Sequence, residues 1–282
     1  MPGKQVEALG VRLHVAHDGG ARGRPPIILL HGFTGSAASW EPVVARLAGA
    51  TRVITPDLLG HGRSDAPPNP EPYGMGACVR QLLALADALE APQADWLGYS
   101  MGGRIAMHVA LQAPRRVRRL VLESASPGIP DPRLRSERAA QDLMLADRIE
   151  QDGVEAFVDW WMAQPLFATQ RRLGDAWWSR SREERLAHPA HGLAQTLRGL
   201  SVGLQDNLAP KLAKLDLPTL LVSGAEDAKY TAQLAQLARR MPRARQVAVA
   251  GAGHTVHAEQ PEAFADEVAR FLAEPDEPPV AN

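Results

Sequence analysis

The chain has 282 residues, 45% of them hydrophobic and 22% charged, which excludes global disorder. That length fits one large α/β unit or about two smaller domains. Lys and Arg number 31 and Asp and Glu 32, a formal net charge of −1, so there is no overall basic footprint and no nucleic-acid partner is expected. The single cysteine, Cys78, excludes an internal disulfide. It reads as a small helix residue and not as a nucleophile. No segment reaches the ~18 uninterrupted apolar residues of a membrane span. The first residues, Met1 to Glu7, lack the apolar core of a secretory signal, so a cytoplasmic address is expected.

Residues 11–15 alternate with period two, as a half-buried strand does. Pro25-Pro26 blocks a helix, and Ile27 to Leu30 reads as a buried strand ending at His31-Gly32-Phe33. A short helix is expected over 40–47, a strand over 52–55, and an amphipathic helix over 76–89. Residues 95–98 read as a strand running into Tyr99-Ser100, 104–112 as a helix and 119–122 as a strand. This β-α-β-α order predicts a parallel sheet with helices on both faces.

The pattern then changes. Residues 127–208 show no strand signal, but helical patterns at 134–151 and 154–162, with Phe157, Trp160, Trp161, Trp177 and Trp178 among them. Strand patterns resume at 219–222 and 246–249, and an amphipathic helix closes the fold over 261–272. The expected organisation is a core of residues 1–126 and 209–274, a helical cap inserted at 127–208, and a flexible acidic, Pro-containing tail at 275–282.

Gly98-Tyr99-Ser100-Met101-Gly102 has the form G-x-S-x-G between a strand and a helix. That context marks a nucleophile elbow, a sharp turn that holds the serine at the strand end. His254 follows the 246–249 strand and Asp227 the 219–222 strand, giving the order serine, acid, histidine. Asp227 would hold the imidazole tautomer and stabilise the imidazolium; its neighbour Glu226 competes for that role. The N–H groups of Phe33 and Met101 would face a substrate oxygen as an oxyanion hole. His31, Asp57 and His61 read as loop supports. His188 and His191 lie on a Pro-containing loop with no evident third ligand, and no P-loop or dinucleotide fingerprint is present. Neither a metal nor a cofactor is expected.

Together, His31-Gly32-Phe33, the segment Asp57 to Ser64, the elbow, Asp227 and His254 resemble the α/β-hydrolase superfamily. Ser100 distinguishes the chain from haloalkane dehalogenases, which place aspartate there. Finer features resemble the 2-succinyl-6-hydroxy-2,4-cyclohexadiene-1-carboxylate synthases, lyases of menaquinone biosynthesis. These are Arg104 one turn past the serine, Ser126-Pro127-Gly128 followed by Arg133, Arg135 and Arg138, Asp159-Trp160-Trp161 followed by Pro165-Leu166-Phe167, and the run Gly224 to Tyr230.

That resemblance implies elimination of pyruvate from 2-succinyl-5-enolpyruvyl-6-hydroxy-3-cyclohexene-1-carboxylate without consumption of water. Ser100, with His254 and Asp227, would act as base. The substrate is a small polycarboxylate, so cations are needed. Arg104 and Arg138 are implied as carboxylate ligands, Trp160 as a wall, Tyr99 as facing the site, and Arg185 as a further contact. Trp177 and Trp178 are expected in the core of the cap. Two other classes compete: a carboxylesterase or C–C bond hydrolase using Ser100 as a true nucleophile, and a ligand-binding receptor on the same fold.

Overall fold

The computed structural model describes residues 3–275. Of the tail expected at 275–282, all but Pro275 lies outside the described residues. The strands are β1 (Lys4–Ala8), β2 (Val11–Gly20), β3 (Ile27–Leu30), β4 (Arg52–Pro56), β5 (Ala94–Tyr99), β6 (Val117–Glu123), β7 (Thr219–Gly224) and β8 (Ala244–Val249). They form one sheet in the order β1-β2-β4-β3-β5-β6-β7-β8. β1 pairs antiparallel with β2 and β2 antiparallel with β4, while every later pairing is parallel. The mostly parallel sheet expected from the β-α-β-α order is therefore present.

The core helices are α1 (Glu41–Leu47), α2 (Met75–Ala88) and α3 (Met101–Gln112). Between β6 and β7 lie α4 (Pro132–Met162), α5 (Asp175–Leu186), α6 (Ala190–Leu200) and α7 (Ala209–Leu212), with a 3-10 segment at Pro165–Leu173. The chain closes with α8 (Ala228–Ala238), α9 (Val256–Glu259) and α10 (Pro261–Ala273).

The central strands are apolar throughout because both faces are covered. Along β5, Trp96 enters the core beneath α2 and α3, while Leu97 enters the core beneath α1 and α10. All four residues of β3 and all six of β7 are buried. Each fully buried Leu, Ile or Val contributes roughly 1.5–3 kcal/mol. A third apolar cluster joins Ile149, Phe157, Val158 and Met162 of α4 to Leu193 and Leu197 of α6, with Phe33 of the β3 loop packed against it.

The structure differs from the sequence reading in four places. β1 pairs at the sheet edge, where exposed Gln5 and Glu7 alternate with buried Val6 and Ala8, only two apolar residues to signal a strand. β2 runs on to Gly20, through a shift of register between Val15 and His17. α3 starts at Met101, directly after the serine, and not at Arg104. α4 joins the two expected helices, and Gly153 at φ 86° and ψ 166° breaks the helical path between them.

Candidate active site

β5 delivers Ser100 to the carboxyl edge of the sheet, and α3 leaves at once. Ser100 sits at φ 50° and ψ −105°, a backbone conformation that non-glycine residues avoid. The glycines around it are steric requirements. A Cβ on Gly98 would lie 2.3 Å from the Gly102 carbonyl oxygen, and one on Gly102 would lie 2.2 Å from the Leu30 carbonyl oxygen. One on Gly103 would meet the Ala125 Cβ at 2.4 Å.

His254 lies on the loop after β8, and Asp227 on the turn after β7. His254 Nδ1–H donates to Asp227 Oδ2 at 2.7 Å, and His254 Nε2 lies 3.3 Å from Ser100 Oγ. The Tyr230 N–H donates to the other Asp227 oxygen at 3.1 Å, so one carboxylate caps α8 and orients the imidazole. Glu259 steadies the histidine loop, accepting the Gly253 N–H at 2.9 Å and the Thr255 N–H at 3.2 Å. Glu226 points outward into an exposed ion pair with Arg172. The structure therefore brings Ser100, His254 and Asp227 into one hydrogen-bonded chain and leaves Glu226 out of it.

Phe33 and Met101 both border the cavity beside Ser100. Met101 opens α3, so its N–H is among the donors that a helix leaves unpaired. His31 braces the Phe33 loop: its Nε2 accepts the Leu58 N–H at 2.9 Å and its Nδ1–H donates to the Gly32 carbonyl at 2.8 Å. His61 Nδ1–H donates to the Leu59 carbonyl at 3.2 Å. Asp57 accepts from the Ala37 N–H at 2.7 Å and from His14 Nδ1 at 2.8 Å.

Burial pushes the His31 imidazole below its ordinary range, and pushes His61 well below it with help from the neighbouring His31 and His188. His188 is pushed down to about 4, again chiefly by burial. These groups take up protons more readily in the unfolded chain. Their contribution to stability is therefore full above about pH 6.5 and is lost as the pH falls toward their folded values. Each costs up to about 1.4 kcal/mol per pH unit in that window. Thermal melts should show Tm falling between pH 7 and pH 5, above the range where carboxylates titrate. A flat Tm there would contradict the neutral, buried state of these rings.

Above Ser100 lies a cavity of about 1070 Å³. Arg104, Arg138, Arg148, Arg180, Arg185 and Lys229 line it, against Glu41, Asp142 and Glu184. The Arg104 guanidinium donates to the Leu200 carbonyl at 2.7 Å and to Gln205 Oε1 at 3.2 Å, and burial lowers its pKa to about 10. Arg138 pairs with Asp142 at 2.8 Å on α4 and keeps a side chain 45% exposed. Arg185 Nη1 donates to the Ser181 carbonyl at 2.9 Å and to the Ser181 hydroxyl. Of the other arginines on α4 noted in the sequence, Arg133 pairs with Glu137 on the surface and Arg135 lies 4.0 Å from Asp206.

Tyr99 lies beneath the site, its hydroxyl 2.8 Å from Thr255 Oγ1 and its ring 5.4 Å from that of His254; burial raises its pKa. Trp160 borders the cavity and is 41% exposed. Three further aromatic groups, present in the segments noted in the sequence but given no part in the site there, lie close to it. The Trp161 ring packs edge-on against Phe33 at 5.4 Å, Phe167 approaches His254 at 6.3 Å, and Tyr230 lies 4.5 Å from His254. The signal for Trp161 was available, because it lies four residues after buried Phe157 on the same helix face. Trp177 also borders the cavity, unlike the expectation of a core position. Trp178 packs into the α4–α6 cluster with Arg171 stacked 3.6 Å above its ring.

Among the described residues, no group of three or more His, Cys, Asp or Glu side chains could hold a metal ion, and no helix is long and apolar enough to cross a membrane. Cys78 is buried, with its thiol pushed up to about 12 by burial.

A serine on a strained strand-to-helix turn, joined through histidine to a carboxylate at the edge of a mostly parallel sheet, defines the α/β-hydrolase class. The alpha/beta hydrolase fold model matches residues 25–261. A Bacillus subtilis (strain 168) protein, provisionally named 2-succinyl-6-hydroxy-2,4-cyclohexadiene-1-carboxylate synthase, is 41% identical over 263 residues, 93% of this chain and 95% of its own. A Salmonella paratyphi A protein of that name is 33% identical over 265 residues, 92% of this chain and 98% of its own. The solved structure of MenH from S. aureus aligns with a TM-score of 0.87 at 28% identity, covering 92% of this chain and 97% of that one. The chain belongs to the alpha/beta hydrolase fold family and, within it, to the 2-succinyl-6-hydroxy-2,4-cyclohexadiene-1-carboxylate synthases.

Proposed function

We propose that the protein is a lyase of menaquinone biosynthesis. It eliminates pyruvate from 2-succinyl-5-enolpyruvyl-6-hydroxy-3-cyclohexene-1-carboxylate to give 2-succinyl-6-hydroxy-2,4-cyclohexadiene-1-carboxylate. The observation that carries this reading is the charge of the cavity, where six cationic side chains outnumber three carboxylates around Ser100. A pocket for simple esters needs no such excess, whereas a substrate with a carboxylate on its ring, its succinyl arm and its enolpyruvyl arm does. The relatives' names favour this reading over a hydrolase or a receptor.

In the mechanism, the ring proton beside the succinyl carbonyl is the acidic one. Ser100 Oγ removes it while passing its own proton to His254 Nε2, 3.3 Å away. Asp227 holds the imidazole tautomer and stabilises the imidazolium. The electron pair released moves through the ring alkene, forms the diene and breaks the bond from the ring to the enolpyruvyl oxygen, which leaves as the enolate. The proton held on His254 is then given up, directly or through solvent, and the enolate is protonated at carbon to pyruvate. No acyl-enzyme forms and no water is consumed. The Phe33 and Met101 N–H groups stabilise negative charge developing on the succinyl carbonyl oxygen. Arg104 and Arg138 bind carboxylates, with Arg185 as a further contact, while Trp160 and Tyr99 shape the walls. In this reading residues 127–208 are the cap over a core of residues 1–126 and 209–274.

Arg104→Ala tests the charge argument. Charge-assisted hydrogen bonds are worth roughly 1.5–3 kcal/mol, so KM for the enolpyruvyl substrate should rise about tenfold or more. Cleavage of a short nitrophenyl ester, which carries no carboxylate, should change little. An unchanged KM in a variant that melts as the wild type would contradict the role of Arg104.

A further inference from the structure

His188, on the turn between α5 and α6, takes no part in the scheme above and does not border the cavity. It is nevertheless buried, and both ring nitrogens are engaged by the core. Its Nδ1 accepts the Gly62 N–H at 2.9 Å, and its Nε2–H donates to the Thr34 carbonyl at 3.0 Å. Its ring packs edge-on against that of His61 at 5.3 Å. His61 Nε2 in turn accepts the Thr34 N–H at 3.4 Å. Imidazoles therefore hold both polar backbone groups of Thr34, one from the core and one from the helical segment between β6 and β7.

Thr34 directly follows Phe33. It is buried at φ 64°, a left-handed conformation that a β-branched residue adopts only when its surroundings impose it. Loss of the His188 bond would free the Thr34 carbonyl, and relaxation about the Thr34 backbone would disturb the turn closed by the Gly35 N–H donating to the Gly32 carbonyl at 3.0 Å, whose peptide unit carries the Phe33 N–H. We propose that His188 is a positioning residue that ties the seating of the cap to the geometry of the Phe33 N–H, so that the two anion-stabilising donors are aligned only with the cap docked. This rests on the reading of Phe33 given above. Burial keeps the ring neutral, as acceptance of the Gly62 N–H at Nδ1 requires.

The test separates the two hydrogen bonds. Glutamine places an amide N–H where His188 Nε2 lies and can keep the Thr34 bond. Asparagine reaches only the position of Nδ1 and can keep the Gly62 bond. Pyruvate release would be measured for the wild type, His188→Ala, His188→Asn and His188→Gln, with melts of each. Misplacement of a catalytic group by about 1 Å can cost about a hundredfold. The expected loss of kcat is therefore about tenfold to about a hundredfold in the Ala and Asn variants. The Gln variant should recover to within about threefold of wild type, with KM within about twofold throughout. Equal kcat in the Asn and Gln variants, or losses confined to KM or Tm, would overturn the proposal. The Asn and Gln pair decides it even if the Ala variant fails to fold. If the wild type releases no pyruvate, the assigned reaction fails by itself. The same series read on Ser100-dependent nitrophenyl ester cleavage, which needs the same donors, then decides the role of His188.

Discussion

Ser100→Ala is expected to lower enzyme-dependent pyruvate release by about a thousandfold or more, since a positioned acid–base group contributes roughly 10²–10⁴. The fold should be unaffected. Alanine removes only the hydroxyl, and the Ser100 N–H, which donates to the Glu123 carbonyl at 2.8 Å, is retained. KM should hold, because the cations that bind substrate lie on α3, α4, α5 and α8. Asp227→Asn should give a smaller loss of the same kind, because the amide can favour the wrong imidazole tautomer. A Ser100→Ala enzyme retaining a tenth or more of wild-type kcat would exclude the serine as base.

Gly102→Ala is expected to be strongly destabilising. The new Cβ would lie 2.2 Å from the Leu30 carbonyl oxygen and 2.6 Å from that of His31. Both are backbone atoms at the end of a central strand and cannot move aside as a flexible side chain does. The overlap should cost at least about 3 kcal/mol, or about 6–12 °C in Tm for a domain of this size. Gly76→Ala is the control. It lies in the first turn of α2, and its Cβ would meet only the end of the Arg80 side chain at 3.4 Å, so helix propensity, full only in a helix interior, predicts a gain of at most about 0.5–1 kcal/mol. Denaturant melts of the two variants check both signs. Equal stability would mean that the elbow tolerates a side chain at position 102.

What could be read from the sequence follows from where local chemistry dictates structure. Ile27 to Leu30 and Thr219 to Val222 could be placed because strands buried on both faces leave continuous apolar runs. Ser100, Asp227 and His254 could be placed because strand-end loops carry them in a fixed order. β1 was missed because an edge strand needs few apolar residues. Tyr230 was given no part because its approach to His254 is tertiary, and for Trp161 the spacing from Phe157 marks the helix face but not the contact with Phe33. His188 could be seen in the sequence only as a loop histidine. Its partners, Thr34 and Gly62, lie more than 120 residues away along the chain.

The central claim is the choice between elimination and hydrolysis on an unchanged Ser-His-Asp arrangement. The most direct test generates the enolpyruvyl substrate in situ and follows pyruvate release by the wild-type protein, beside cleavage of a short nitrophenyl ester. The account predicts rapid, saturable pyruvate release and weak ester cleavage. Release no faster than the uncatalysed reaction, together with robust ester cleavage, would contradict it and make the protein a serine hydrolase.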